Sequence, residues 1–224
     1  MLVTIARVLD GPALQRVRGL LAELRFVDGR GSAGGDARRV KNNEEADPAD
    51  QRIQELNRLV LLPLYRHRLF QAAAMPKRLS GAFFARYQPG MQYGPHVDDP
   101  VMGPEGGRYR SDVSMTVFLN ATADYEGGEL LVETEYGEQR VKLDAGDAVV
   151  YPSSSLHRVA PVSRGERMVA VAWAESMVRE PERRRLLYDL QQVEDTLRAV
   201  DPDADVTRRT GRVRANLMRM WADV

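Results

Sequence analysis

Asp112-Val113-Ser114-Met115-Thr116-Val117-Phe118-Leu119-Asn120 reads as a β-strand with two different faces. Successive side chains of a strand point to opposite sides. Asp112, Ser114, Thr116 and Phe118 therefore share one face, and Val113, Met115, Val117 and Leu119 the other. The apolar face belongs against a core. The polar face admits two readings: a solvated surface, or the wall of a polar pocket. Outward from this stretch, short strand-like runs recur at 82–88, 91–97, 128–134, 138–143, 147–151, 156–161 and 167–175, separated by Gly- and Pro-rich connections. Such a series predicts a double-sheet jelly roll or related barrel. Asp99–Arg110, between two of these runs, is too irregular for a strand and is placed where a lid would be useful.

The flanks read differently. Residues 2–9 form a loose strand, and Asp10-Gly11-Pro12 starts a helix with an Asp cap and a proline in its first turn. Leu14, Val17, Leu20, Leu21 and Leu24 follow at helical spacing. Residues 28–38, rich in Gly, Asp and Arg, read as a mobile loop. Asp47-Pro48 opens a second helix, with Ile53, Leu56, Leu59, Val60 and Leu64 on its buried stripe. The first 75 residues are thus expected to be mostly helical. After Ser176 helices return at 180–198 and about 205–222, with Leu186, Leu187, Leu190, Val193 and Leu197 in register. The class is α+β, divided into a helical support region (1–78), the strand-rich core (79–177) and a helical tail (178–224).

Composition excludes several functions. Among 224 residues, Lys+Arg and Asp+Glu both number 32, so no net field attracts nucleic acid or a membrane surface. There is no cysteine, hence no disulfide and no thiolate ligand. The amino terminus has no basic start leading into a sustained apolar run, and nowhere do eighteen apolar residues follow one another. A cytoplasmic protein without membrane or nucleic-acid partners is expected. Arg183-Arg184-Arg185 reads as a solvated helix face.

Chemistry concentrates in Tyr93-Gly94-Pro95-His96-Val97-Asp98 and Pro152-Ser153-Ser154-Ser155-Leu156-His157. His96 and Asp98 lie two apart on an extended segment and share a face, so both can bind one metal ion. With His157 they make two His and one carboxylate, the facial triad of non-haem Fe(II) oxygenases. Two of the chain's three histidines occupy these positions. The third, His67, has no carboxylate at ligand spacing and reads as structural. Arg167 opens the run Met168-Val169-Ala170-Val171-Ala172-Trp173 and shares a face with Val169, Val171 and Trp173. It either pairs with Glu166 or Glu175 or, inside a barrel, requires an anionic ligand. A guanidinium fork matches a carboxylate in two-point fashion, as the far end of a dicarboxylate cosubstrate would demand. A turn near Ser163-Arg164-Gly165 is expected to bring Arg167 back toward the strand of His157. Gly127-Gly128 permits either close backbone approach or an ordinary turn.

Several stretches together resemble the PKHD-type hydroxylases, bacterial Fe(II)/2-oxoglutarate dioxygenases related to prolyl 4-hydroxylases. They are Val40-Lys41-Asn42-Asn43, Arg86-Tyr87, the His96 and His157 segments quoted above, Tyr125-Glu126-Gly127-Gly128-Glu129-Leu130, and Arg164-Gly165 leading into Arg167. The similarity runs over nearly the whole chain. It implies a double-stranded β-helix core, iron ligation by His96, Asp98 and His157, and a 2-oxoglutarate carboxylate on Arg167. Tyr87, nine residues before His96, matches a tyrosine that prolyl-hydroxylase relatives place near the cosubstrate. The implied activity is hydroxylation of an unactivated C–H using O2, with succinate and CO2 as coproducts and L-ascorbate as the family's reductant.

Two other readings compete. A cupin-like metalloprotein would form no succinate and would not need Arg167. A module sensing iron or 2-oxoglutarate would bind without turnover. The substrate, either a small molecule or a peptide or protein side chain, is not legible. Asp99–Arg110 and Val40–Glu45, with Lys41 and Asn42, are either substrate-contacting or ordinary solvated loops. Apolar residues on the terminal helices are expected to pack on the barrel, and both a monomer and a homodimer are compatible with them.

Overall fold

A computed structural model of the protein describes residues 1–224. The chain opens with β1 (Val3–Ile5), α1 (Gly11–Ala22), β2 (Phe26–Asp28), the single turn α2 (Ala37–Val40), β3 (Lys41–Asn42) and β4 (Glu44–Ala46). Helices α3 (Arg52–Arg66) and α4 (Arg68–Ala74) follow, then β5 (Pro76–Leu79), β6 (Phe83–Tyr87) and β7 (Gln92–His96). Next come β8 (Val101–Met102), β9 (Tyr109–Arg110), β10 (Val113–Phe118), β11 (Tyr125–Gly127), β12 (Leu130–Thr134) and β13 (Gly137–Val141). The last strands are β14 (Ala148–Pro152), β15 (His157–Val159), β16 (Val162–Gly165) and β17 (Arg167–Ser176), before α5 (Pro181–Val200) and α6 (Asp205–Trp221).

Two sheets face each other. The larger has the order β1-β14-β10-β17-β6-β4-β2, with β5 also on β17; the smaller runs β13-β12-β15-β7-β3. Every pairing is antiparallel. This is the expected jelly-roll architecture, and all eight strand runs read from the sequence are present.

The structure departs from the sequence reading in several places. Arg184, read as part of a solvated helix face, is buried, and its guanidinium donates to the Val178, Arg179 and Asp112 carbonyls. The first 75 residues also contribute strands, β4 and the edge strand β2 to the larger sheet and the edge strand β3 to the smaller. At two or three residues each, they are too short to show an alternation. Asp99–Arg110 is not purely irregular: β8 and β9 within it form a small antiparallel hairpin. Finally, the chain after His157 crosses between sheets. β16 pairs with β11, and β17 enters the larger sheet between β10 and β6, so Arg167 does not neighbour the strand of His157.

Packing explains the alternation in β10. Val113, Met115, Val117 and Leu119 join a core formed with α1, α3 and α4, in which Val17, Leu21, Leu56, Val60, Leu64 and Phe70 are almost fully buried. Each such side chain contributes about 1.5–3 kcal/mol by leaving water. Ser114, Thr116 and Phe118 are buried as well, on the side turned to the second sheet. Helix α1 begins as expected, with Asp10 Oδ1 accepting the Ala13 amide at 2.8 Å. His67 breaks the chain between α3 and α4, and its Nδ1 accepts the Leu69 amide, a structural role.

Candidate active site

His96 ends β7, His157 begins β15, and the two are direct cross-strand partners. Asp98 follows just beyond β7. Its Oδ1 lies 4.0 Å from His96 Nε2 and 3.8 Å from His157 Nε2. One donor atom from each residue falls within 4.8 Å of the others. The imidazoles are prepared for ligation. His96 Nδ1 sits 2.8 Å from the Gly94 carbonyl and His157 Nδ1 2.9 Å from that of Ser155. A carbonyl oxygen can only accept, so each Nδ1 carries the proton and each Nε2 presents its lone pair. Burial, and next the adjacent His157, push His96 down to about 4, which leaves it neutral near pH 7. Asp98 Oδ2 accepts the Ser114 hydroxyl, which itself lies 2.8 Å from Ser153 Oγ. The polar face of β10 is therefore a pocket wall and not a solvated surface.

A β-bulge completes the setting. Val159 pairs with Tyr93 while His157 pairs with His96, so β7 holds one residue more than β15 across this interval. Gly94-Pro95 occupies the irregularity, a position where proline costs no ladder hydrogen bond. Tyr93 and His96 consequently lie on one side, and their rings stack at 3.6 Å with 14° between planes. The Lys41 ammonium sits 5.3 Å above the Tyr93 ring and is itself buried in an ion pair with Glu45 at 2.6 Å. Tyr93, Tyr151 and Ser153 were given no separate role in the sequence, and Lys41, read there as a substrate-contacting or solvated loop residue, is instead buried in its pair with Glu45. Only Gly94-Pro95 offered a signal, since that pair inside a strand run marks a bulge.

Arg167 and Tyr87 are cross-strand partners on β17 and β6. The guanidinium carbon is 5.0 Å from the Tyr87 ring and 5.7 Å from that of Phe118. Arg167 is 2% exposed, and its Nε and Nη1 have no hydrogen-bond partner. Glu166 and Glu175 do not serve it: they lie beside Arg86 and Arg110 at 3.8 and 3.7 Å. Gly128 adopts φ +65°, and a Cβ there would approach Arg167 Cδ to 3.0 Å, so glycine makes room for the arginine stem. Burial pushes the Tyr87 hydroxyl up to about 12 despite the nearby Arg167 charge, so it remains protonated and able to donate. One cavity of about 670 Å3 contains His96, Asp98, His157, Arg167, Tyr87 and Thr116, and extends past Phe83 and Trp173 to the β8–β9 hairpin. All five residues singled out in the sequence therefore converge on one space.

Similarity to known proteins identifies the family. Residues 82–175 match the 2OG-Fe(II) oxygenase superfamily. A PKHD-type hydroxylase of Thioalkalivibrio sulfidiphilus is 70% identical over all 224 residues, covering both chains completely. The chain belongs to the PKHD-type hydroxylase family. A PKHD-type hydroxylase of Maricaulis maris is 43% identical, again across the full length of both chains. Among solved structures, a Pseudomonas putida prolyl-4-hydroxylase aligns with TM-score 0.51 and 23% identity, over 78% of this chain and 92% of that one. A Trichoplax adhaerens prolyl hydroxylase aligns with TM-score 0.57 and 18% identity, over 83% and 86%. At such identities these two establish the shared fold. Membership in the PKHD-type family makes the protein an enzyme, a 2-oxoglutarate-dependent hydroxylase whose chemistry uses Fe(II) and O2. No helix is long and apolar enough to cross a membrane.

Proposed function

We propose that this PKHD-type hydroxylase binds Fe(II) through His96 Nε2, His157 Nε2 and an Asp98 oxygen, and inserts hydroxyl into an unactivated C–H, with succinate and CO2 as coproducts. The donor set fits the metal: two imidazoles and one carboxylate would suit Fe(II). Bound iron supplies the oxygen-activating chemistry, driven by oxidation of 2-oxoglutarate. The chain's own residues do the positioning. Ser114 orients Asp98, the Tyr93 ring fixes the plane of His96, and the Gly94 and Ser155 carbonyls select the histidine tautomers. Arg167 receives the distal carboxylate of 2-oxoglutarate, with Tyr87 beside it. The surrounding apolar wall, including Leu130 and Val159, limits water.

The observation that carries this reading is the unpartnered Arg167 guanidinium, buried in the same cavity as three convergent metal donors. A buried charge of this kind requires an anion, and a carboxylate of a keto dicarboxylate bound in the same cavity would supply it. A cupin-like metalloprotein does not require that guanidinium, whereas a module sensing iron or 2-oxoglutarate would bind without forming succinate. L-Ascorbate is proposed as the reductant that keeps the iron ferrous. The substrate enters past the β8–β9 hairpin and is either a small molecule or a peptide or protein side chain. The Trichoplax neighbour, described in complex with a hypoxia inducible factor peptide fragment, makes peptides the first class to screen.

Anaerobic titration of metal-free protein with Fe(II) and then 2-oxoglutarate tests the assignment. The weak visible charge-transfer band of the chelate is expected, and it should weaken in Arg167→Ala. Bound iron without a band would remove the cosubstrate assignment, and absence of iron binding would remove the triad.

A further inference from the structure

The two C-terminal helices each carry a row of mainly apolar residues at alternating spacings of four and three. In α5 the row is Leu186, Leu190, Val193, Leu197 and Val200; in α6 it is Val206, Thr210, Val213, Leu217 and Met220. This heptad spacing belongs to helices that bury a seam against other helices. Glu194 fixes how the pair is assembled. Its carboxylate accepts Arg214 Nε at 2.6 Å, and a Cβ on Gly211 would lie 2.8 Å from its Oε1. The antiparallel register that follows puts Val193 level with Val213, Leu186 with Met220 and Val200 with Val206.

Both rows face the same way. On α5, Glu194 points into the hairpin seam, and the next residue, Asp195, faces the body of the protein, where it pairs with Arg68 at 2.9 Å. At about 100° per residue, Val193 must lie on the opposite side, away from the body. Because α6 runs antiparallel, the residue preceding a seam residue falls on that same outer side. Val206 precedes the buried Thr207, and Val213 precedes Arg214. Exposure agrees: Leu186 is 56%, Val193 50%, Val200 83%, Val206 55%, Val213 51% and Met220 74% accessible. Leu190, Leu197 and Leu217 are half-buried. The expected stripe on α5 thus exists, but only part of it packs on the protein.

We propose that this outer face is a homodimer interface, on which the same hairpin of a second copy completes a four-helix bundle. A face with two parallel heptad rows needs a partner presenting two rows at matching spacing, and a second copy related by a two-fold axis supplies them. The area is sufficient. A helix the length of α5 extends about 30 Å, and two helices about 10 Å apart offer a footprint of roughly 600 Å2 per copy. Two such faces bury about 1,200 Å2 in total, the lower bound for stable interfaces. Rim charges are already neutralised within one copy, Arg185 by Asp189 at 3.8 Å and Arg209 by Asp205 at 2.6 Å, so self-association adds no unpaired like charges there. No residue of α5 or α6 lines the cavity, and both active sites stay open in such a dimer.

Sedimentation velocity on the full chain across micromolar concentrations tests this. The expected mass is twice 25.2 kDa, falling to a single chain for Val193→Glu/Val213→Glu with unchanged circular dichroism and unchanged Fe(II)/2-oxoglutarate band. Because the chain has no cysteine, Val193→Cys offers a second measurement that leaves the surface apolar. A short bismaleimide should join two Val193→Cys copies, but not two Tyr136→Cys copies, whose cysteine would stand on the exposed β12–β13 turn. A wild-type monomer at all concentrations would overturn the proposal and leave the face to a different protein. A dimer that survives Val193→Glu/Val213→Glu, or equal cross-linking at both positions, would place the interface elsewhere. Loss of the iron band alone would count against the active-site assignment and not against the dimer.

Discussion

Arg167→Met replaces a buried guanidinium with an apolar side chain of similar reach, and the geometry predicts opposite effects on stability and on cosubstrate binding. Without 2-oxoglutarate, Arg167 Nε and Nη1 have no partner, and the Tyr87 and Phe118 rings stand near the charge, with Tyr125 close by. Cation–π contacts return about 0.5–2 kcal/mol each, against a burial cost of several kcal/mol for an unpaired ion. Exchanging buried ions for apolar groups commonly stabilises by about 1–4 kcal/mol. With the rings returning part of the cost, a gain of about 1–2 kcal/mol is expected. At about 2–4 °C per kcal/mol for a chain of this size, the ligand-free variant should melt roughly 2–8 °C higher. Binding should move the other way. Truncating one partner of a buried, hydrogen-bonded charge pair costs about 2–5 kcal/mol, or roughly 30- to 4,000-fold in Kd at 1.4 kcal/mol per decade. Thermal melts of metal-loaded protein with and without 2-oxoglutarate read both effects. Cosubstrate at a hundred times its Kd stabilises wild type by about 2.7 kcal/mol, and the variant should lose nearly all of that shift. A variant with an undiminished 2-oxoglutarate shift would refute the cosubstrate role. A variant that melts well below wild type would show that Arg167 is a strut of the barrel.

Three further outcomes follow from particular contacts. Ser114→Ala removes the donor to Asp98 and should weaken metal affinity about 10- to 100-fold; competition with a chromophoric chelator measures it, and unchanged affinity would discard the orienting role. Gly165→Ala should cost about 2 kcal/mol or more in urea denaturation, because φ is +74° and the added Cβ would overlap the Asp124 carbonyl oxygen, a backbone atom that cannot yield; a near-neutral effect would contradict the turn geometry that leads into Arg167. Burial raises the Glu194 carboxyl, but hydrogen bonds from Arg214 and Arg198 outweigh it and hold the group below its ordinary 4.5. A depressed folded-state pKa gives stabilisation that is complete above the unfolded value and is lost as pH falls through the folded value. The melting temperature should therefore drop more steeply below about pH 4.5 in wild type than in Glu194→Gln, and parallel profiles would exclude this ion pair as a source of acid sensitivity.

What the sequence determined by itself was local and periodic. The alternation of Asp112–Asn120, the seven other strand runs, the Asp10 cap and the helical stripes depend on neighbours two to four residues away, so one chain suffices to read them. The His96–Asp98 spacing belongs to the same class, and with His157 and Arg167 it announced the chemistry. Tertiary structure decided what depends on distant partners. It turned the polar face of β10 inward, so that Ser114 meets Asp98. It set Arg167 opposite Tyr87, eighty residues earlier, where a turn back toward His157 had been expected. It recruited β2, β3 and β4, which have too few residues to carry a pattern and exist only because an edge of a sheet awaits them. On α5 and α6 the heptad rows were present in the sequence, but which residues stay exposed depended on the side from which the barrel approaches. Periodicity specifies that a face is apolar; only packing between distant segments determines what covers it, because strand register and helix orientation are set by contacts that no local window contains.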